Sequence, residues 1–102
     1  MEYVTQQGVE VPKVGLGTWQ MDSATAYESV SSALRLGYRH IDTAQLYENE
    51  SAVGDAIADA DVDRSEVFLT TKVDPTNRSV SDILASARES VEKLGVDRVD
   101  LL

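Results

Sequence analysis

The stretch Val67-Phe68-Leu69-Thr70-Thr71-Lys72-Val73 decides the fold. It is apolar or β-branched almost throughout, with its one charge near the end, and it shows no alternation of apolar and polar residues. A strand of that kind is covered on both faces, as strands of parallel sheets are. Working outward, Arg39 to Thr43 predicts a strand before it, Val14 to Trp19 another, and Val99 to Leu102 the start of a fourth. Helical patterns fill the spaces between. Asp22 and Ser23 open the first, Thr25-Ala26-Tyr27-Glu28 fits a capping box, and Ala26, Val30, Ala33 and Leu34 share one face before Gly37 as C-cap. Asn49 is placed to cap a second helix with Val53, Ala56, Ile57 and Ala60 toward the core. A third opens at Ser79-Val80-Ser81-Asp82 and carries Val80, Ile83, Leu84, Ala87, Val91 and Leu94 at helical spacing, ending at Gly95. At the front, Tyr3 to Gln6 and Val9 to Val11 flank Gln7-Gly8, a hairpin signal. The order is a hairpin followed by βαβαβαβ, which implies a parallel sheet with right-handed crossovers.

The chain has 102 residues, enough for one domain with a core but short of the roughly 250 residues of a complete (β/α)8 barrel. Because its fourth strand begins at Asp97 and Asp100 and the chain stops at Leu102, it is expected to be the front part of something larger. Eighteen acidic against nine basic residues give a net charge of -9, which repels phosphate backbones and anionic headgroups, so nucleic acid and membrane surfaces are not expected partners. There is no cysteine and a single histidine, His40, so neither a disulfide framework nor a zinc site is expected. No signal peptide or membrane span is visible, and a cytoplasmic protein is expected. Only Lys13, Lys72 and Lys93 are lysines, and ten of the acids are Asp, an Asp-rich and Lys-poor surface of the halophilic kind.

In parallel α/β folds the site lies at the C-terminal ends of the strands. Those positions hold Thr18 and Trp19, then Asp42 with Tyr47 just beyond, then Lys72. An acid, a phenol and an ammonium from successive strand ends permit proton donation by Tyr47. A phenol of ordinary pKa near 10 is a poor acid at neutrality, and an ammonium about 4 Å away would favour its anion by roughly 4 kcal/mol at an effective dielectric of ~20. Asp42 would keep that ammonium charged and aimed. The bland alternative is a solvated Asp42, a half-buried Tyr47 and a Lys72 closing the sheet rim. Other features read as structure. His40 shares a face with Asp42 one layer deeper and suits an interior filler. Gly15-Leu16-Gly17 lacks the third glycine of a dinucleotide loop and suggests a tight strand approach. The acids from Asp55 to Glu66 lack calcium-loop spacing and read as a solvated face. Trp19, followed by polar Gln20, suits a pocket wall.

The run Gly37-Tyr38-Arg39-His40-Ile41-Asp42-Thr43-Ala44, with Tyr47-Glu48-Asn49-Glu50 and Val53-Gly54, resembles the signature of the aldo-keto reductase family. Val14-Gly15-Leu16-Gly17-Thr18-Trp19, Leu69-Thr70-Thr71-Lys72 and Leu94 to Leu102 resemble it in order and spacing. The resemblance implies an α/β fold, here a partial (β/α)8 barrel made of the hairpin, three βα units and the start of a fourth strand. It implies reduction of aldehydes or ketones with NADPH, or alternatively NADH, and a small-molecule carbonyl substrate. It further implies a catalytic role for Asp42, Tyr47 and Lys72, cofactor contacts at Thr18 and Asp42, and a substrate pocket at Trp19 and Tyr47. The family's histidine and adenosine phosphate loops would fall beyond Leu102, and Asp74-Pro75 stands where the family often has an aromatic residue. An inactive fragment is therefore expected. The rival expectation is a non-catalytic partial barrel that self-associates through open sheet edges or is a vestigial fragment.

Overall fold

The computed structural model describes residues 1–102. Strands β1 (Tyr3–Gln6) and β2 (Val9–Pro12) form an antiparallel hairpin in the register Gln6↔Val9. Gln7 and Gly8 both have positive φ, 51° and 81°, as a two-residue turn between right-twisted strands requires. Strands β3 (Leu16–Gly17), β4 (His40–Asp42) and β5 (Phe68–Thr70) form a parallel sheet in sequence order. Helices α1 (Ser23–Arg35), α2 (Glu50–Asp59) and α3 (Val80–Leu94) alternate with them. Because α1 packs on α2 and α2 on α3, the helices lie side by side on one face. Sequential strands with helices along one face are the geometry of a barrel sector, with the barrel unclosed.

Alternation along β4 sorts the two faces. Ile41 is fully buried against the helices, while His40 and Asp42 turn to the concave face. Ala26, Val30 and Leu34 of α1 meet Ile41 and Leu69 of the sheet, Val67 just before β5, and Val53, Ala56 and Ile57 of α2 in one cluster that Leu94 completes. At roughly 1.5–3 kcal/mol for each fully buried aliphatic side chain, this cluster is the main favourable term holding the sector together.

The elements are shorter than the sequence patterns predict. β5 covers Phe68–Thr70 and not Val67 to Val73, because beyond Thr70 the Thr71 hydroxyl turns to Glu50 in α2 and Lys72 enters a loop. The predicted strand Val99 to Leu102 is a single bridge, Thr70↔Leu101, because the Asp100 carboxylate takes the Leu69 N–H at 2.8 Å where a further backbone partner would sit. Helix starts also differ. Asp22, not Thr25, caps α1, its carboxylate accepting from the Thr25 N–H at 2.8 Å. That bond holds the Asp22 carboxyl below the usual carboxylate range. Asn49 stands at the N-cap of α2 but makes no capping bond. Ser79 caps α3 as the sequence predicts, accepting from Asp82 N–H. The apolar stripe of α3 is largely uncovered: of its six apolar positions only Leu94 is buried, and Val80 is 74% exposed.

Candidate active site

Gly17, Asp42 and Thr70 are in register at the ends of β3, β4 and β5. The chain leaves β4 through Thr43 and Ala44 into a 3-10 turn, Gln45–Tyr47, closed by Glu48 in the left-handed region at φ 55°. This turn brings Tyr47 back over the strand ends. The loop leaving β5 brings Lys72 to the same place, and the Gln45 N–H donates to the Lys72 carbonyl at 3.1 Å. The Lys72 ammonium donates to the Asp42 carboxylate, to the Thr43 carbonyl at 3.3 Å and to the Tyr47 hydroxyl oxygen at 3.3 Å. It also lies 5.2 Å from the Tyr47 ring centroid, within reach of a cation–π attraction. Three residues separate in sequence thus meet around one nitrogen.

The electrostatics favour a charged lysine. Burial pulls the Lys72 ammonium down, but its bonds to Asp42 and Tyr47 more than offset this and hold it above the ordinary lysine value. Asp42 and Lys72 keep solvent access, with side chains 37% and 48% exposed, so the cluster is open to a small molecule. It stands in a groove of about 720 Å³ on the concave face, lined also by Gly17, Gly15 and His40 and reaching Val11 and Lys13 of the hairpin end.

His40 fills the layer beneath, its Nε2 3.1 Å from the Thr70 hydroxyl and its ring edge-on to Phe68 at 4.9 Å. Gly15 lies so close to this ring that an added Cβ would stand 2.9 Å from His40 Cγ, which accounts for glycine there. Gly17 has open space around it and no such need.

Thr18 and Trp19 stand beside the cluster without joining it. Thr18 has no exposed surface. Its hydroxyl is 3.0 Å from that of Thr43, which in turn donates to Asn49 Oδ1 at 2.8 Å, while Asn49 Nδ2 donates to the carbonyls of Thr18 and Met21. This network braces the strand ends. Trp19 is 68% exposed, follows the edge strand β3 and does not line the groove. The acids from Asp55 to Glu66 remain at the surface; Asp59, the last residue of α2, accepts from the Tyr27 hydroxyl at 2.6 Å, which raises the Tyr27 pKa, and no cluster of acids or histidine is disposed to hold a metal.

Sequence reading missed the supports behind the cluster. Glu50 is buried at 4% exposure, with its carboxylate accepting from Thr71 at 2.7 Å and from Ser90 at 3.3 Å. Gln45 joins Ser90 to the Asp74 N–H. A Glu in the first turn of a helix otherwise signals only favourable dipole placement.

The aldo/keto reductase family matches residues 13–102. The chain is 48% identical over 93 residues to a methylglyoxal reductase, DkgB, of Yersinia pestis, covering 91% of this chain and 35% of that protein. It is 47% identical over 94 residues to a glycerol 2-dehydrogenase (NADP(+)) of Saccharomyces cerevisiae, covering 92% of this chain and 30% of that protein. Among solved structures, an aldo/keto reductase from Brucella melitensis superimposes with a TM-score of 0.95 at 41% identity, over 99% of this chain and 39% of that one. An aldo-keto reductase of Bombyx mori in complex with NADP superimposes with a TM-score of 0.90 at 33% identity, over 96% of this chain and 36% of that one. The chain spans about a third of the length of these relatives. With this agreement in sequence and in backbone, the chain belongs to the aldo/keto reductase family.

Proposed function

We propose that residues 1–102 are the N-terminal part of one barrel domain that reduces aldehydes or ketones to alcohols with NADPH. The observation that carries this reading is the Lys72 ammonium bound at once to the Asp42 carboxylate and to the Tyr47 hydroxyl, at the mouth of an open groove. NADPH, when bound to the whole barrel, supplies the hydride that enters the carbonyl carbon. Tyr47 gives its hydroxyl proton to the carbonyl oxygen as that oxygen becomes negative. Lys72 faces the phenol oxygen left behind and balances its charge, and Asp42 keeps Lys72 protonated and aimed. Solvent returns the proton to Tyr47 through the groove. Alcohol and re-protonated phenol are the balanced outcome on the protein side.

The residues fit the nicotinamide end of such a cofactor: Asp42 presents an exposed carboxylate as acceptor for hydroxyl or amide donors. They do not fit its phosphates. The groove's lysines are Lys13, paired loosely with Glu2, and Lys72, already engaged, so phosphate binding belongs to other parts of a whole barrel. The test is a chimera in which this chain replaces the matching third of the Yersinia pestis methylglyoxal reductase. It is expected to oxidise NADPH with a small aldehyde. Tyr47→Phe should then lower kcat by about 10²-fold or more with NADPH affinity kept, since general acid catalysis is worth roughly 10²–10⁴. Retention of most of the rate by Tyr47→Phe would overturn the assignment.

For the chain by itself a second reading, a non-catalytic partial barrel that pairs with another copy, is favoured by the uncovered apolar side chains Val80, Leu84, Leu101 and Leu102. Light scattering at several concentrations decides it, with a concentration-independent monomer mass counting against pairing. The same chain carries no helix long and apolar enough to cross a membrane, and its acidic surface suits a salt-rich cytoplasm.

A further inference from the structure

The turn that carries Tyr47 and the loop that carries Lys72 belong to different βα units, yet one side chain joins them. Gln45 opens the tyrosine turn. Its backbone N–H donates to the Lys72 carbonyl at 3.1 Å, and its side-chain Oε1 accepts the Asp74 N–H at 2.7 Å. Gln45 therefore grips the lysine loop on both sides of Val73. Its Nε2 donates to Ser90 Oγ of α3 at 3.0 Å, and Ser90 donates in turn to Glu50 Oε1 at 3.3 Å. The other Glu50 oxygen accepts from Thr71, the residue just before Lys72, at 2.7 Å. A ring of bonds thus runs from the lysine loop through Gln45, Ser90 and Glu50 back to the lysine loop. Glu50 and Ser90 are 4% and 1% exposed, so little of either meets bulk water and their bonds within the ring are costly to lose. The far side of the loop is equally fixed, since Asp74 Oδ1 accepts from both the N–H and the hydroxyl of Thr76 at 2.9 and 2.8 Å.

We infer that Gln45 is a positioning residue that sets the separation of Tyr47 and Lys72, with Ser90 and the buried Glu50 holding its amide in place. The inference rests on the reading of Tyr47 and Lys72 as the proton-handling pair. An amide that only satisfied buried polar groups would affect stability alone. This one ties two functional side chains, so its loss changes the distance between them even where the fold survives.

The Tyr47 ring, 5.2 Å from the ammonium, supplies a measure of that distance. In the full chain labelled with carbon-13 at lysine, the ring current of Tyr47 displaces the resonances of the Lys72 ε-methylene, and Tyr47→Leu defines the undisplaced position. Gln45→Met keeps the length of the side chain without its hydrogen-bonding atoms. It is expected to lose at least half of the displacement while the methyl resonances of Ile41 and Leu69 stay in place. Gln45→Glu can still accept from Asp74 and is expected to retain more of it. A displacement in Gln45→Met within a tenth of that in the parent chain overturns the inference while leaving the pair intact. If Gln45→Met loses its core methyl dispersion, Ser90→Ala is judged by the same thresholds. A Lys72 resonance unmoved by Tyr47→Leu overturns the pairing itself, and with it both this inference and the proposed reaction.

Discussion

Gly54 lies in the middle of α2, where replacement by alanine should stabilise a free helix by about 1 kcal/mol. Here the structure reverses that sign. A Cβ on Gly54 would overlap the carbonyl group and Cα of Leu94 in the last turn of α3. These are backbone atoms, which cannot swing aside as a side chain end can. The end of α3 must move away by on the order of 1 Å in an interior packed as densely as a crystal. Overpacking typically costs 1–3 kcal/mol, and a backbone obstacle puts Gly54→Ala near the upper figure. Subtracting the propensity gain leaves a net loss of about 2 kcal/mol, or a fall in Tm of roughly 8–16 °C for a domain of this size. The displacement also reaches the site, because Ser90 sits one turn before Leu94 and donates to Glu50. The assay is thermal and urea unfolding followed by far-UV circular dichroism, since exposed Trp19 is a weak reporter of the core. Gly17→Ala, with open space around the added Cβ and an ordinary φ, is the control and should change stability by less than about 0.5 kcal/mol. If Gly54→Ala proved as stable as the parent chain, α2 and α3 could not approach as closely as described, and the packing argument would fail.

Three other outcomes are expected. The Lys72 ammonium is held above the usual lysine value, so its pairing contributes fully below the ordinary pKa near 10.4 and is lost as pH rises through the raised one. Lys72→Met should flatten the alkaline unfolding curve, and an unchanged curve would contradict the pairing. The Asp22 carboxyl is held low by the Thr25 N–H, so the α1 cap acts above the ordinary Asp value and is lost as pH falls through the lowered one. The protection of the Thr25 amide, its exchange rate relative to the unstructured rate at the same pH, should therefore fall in acid for the parent chain and be low already at neutral pH in Asp22→Ala; equal protection in both would remove Asp22 as the cap. With 18 acids against nine bases, molar KCl, which shortens the screening length to about 3 Å, should increase the ordered circular dichroism signal; no difference from dilute buffer would refute an adaptation to salt.

What could be read from the sequence follows the range of the interaction concerned. The buried faces of α1 and β4 were legible because Ala26, Val30, Ala33 and Leu34 repeat at helical spacing and Ile41 stands between two polar residues. Periodicity marks the face that seeks a partner, however, and cannot say whether the partner lies within the same chain. Hence α3 has the expected stripe, yet Val80 and Leu84 remain exposed. Strand lengths were overread for a related reason: Thr71 and Val73 have strand-like side chains, but the Thr71 hydroxyl bonds to Glu50 and the ladder stops. Asp42, Tyr47 and Lys72 were legible because each sits in a short local motif.

The framework behind those residues was not legible, and Asn49 shows why. An Asn before a helix can accept from the helix's own N–H groups or bond to distant backbone, and each bond is worth about 1 kcal/mol net. Local sequence gives no reason to choose. Burial decides: at 2% exposure, Asn49 has two amide hydrogens that water does not reach, and each left unpaired would cost about 1–3 kcal/mol. The carbonyls of Thr18 and Met21, more than 20 residues away at the bend after β3, are the acceptors that meet them. Capping would use only the side-chain oxygen and leave both hydrogens without partners, so the distant bonds win. Gln45, half-buried, likewise spends its amide on distant partners, joining Asp74 to Ser90. Polar side chains whose partners lie in another βα unit are therefore where sequence pattern fails, and here they are the ones that hold the strand ends around Lys72.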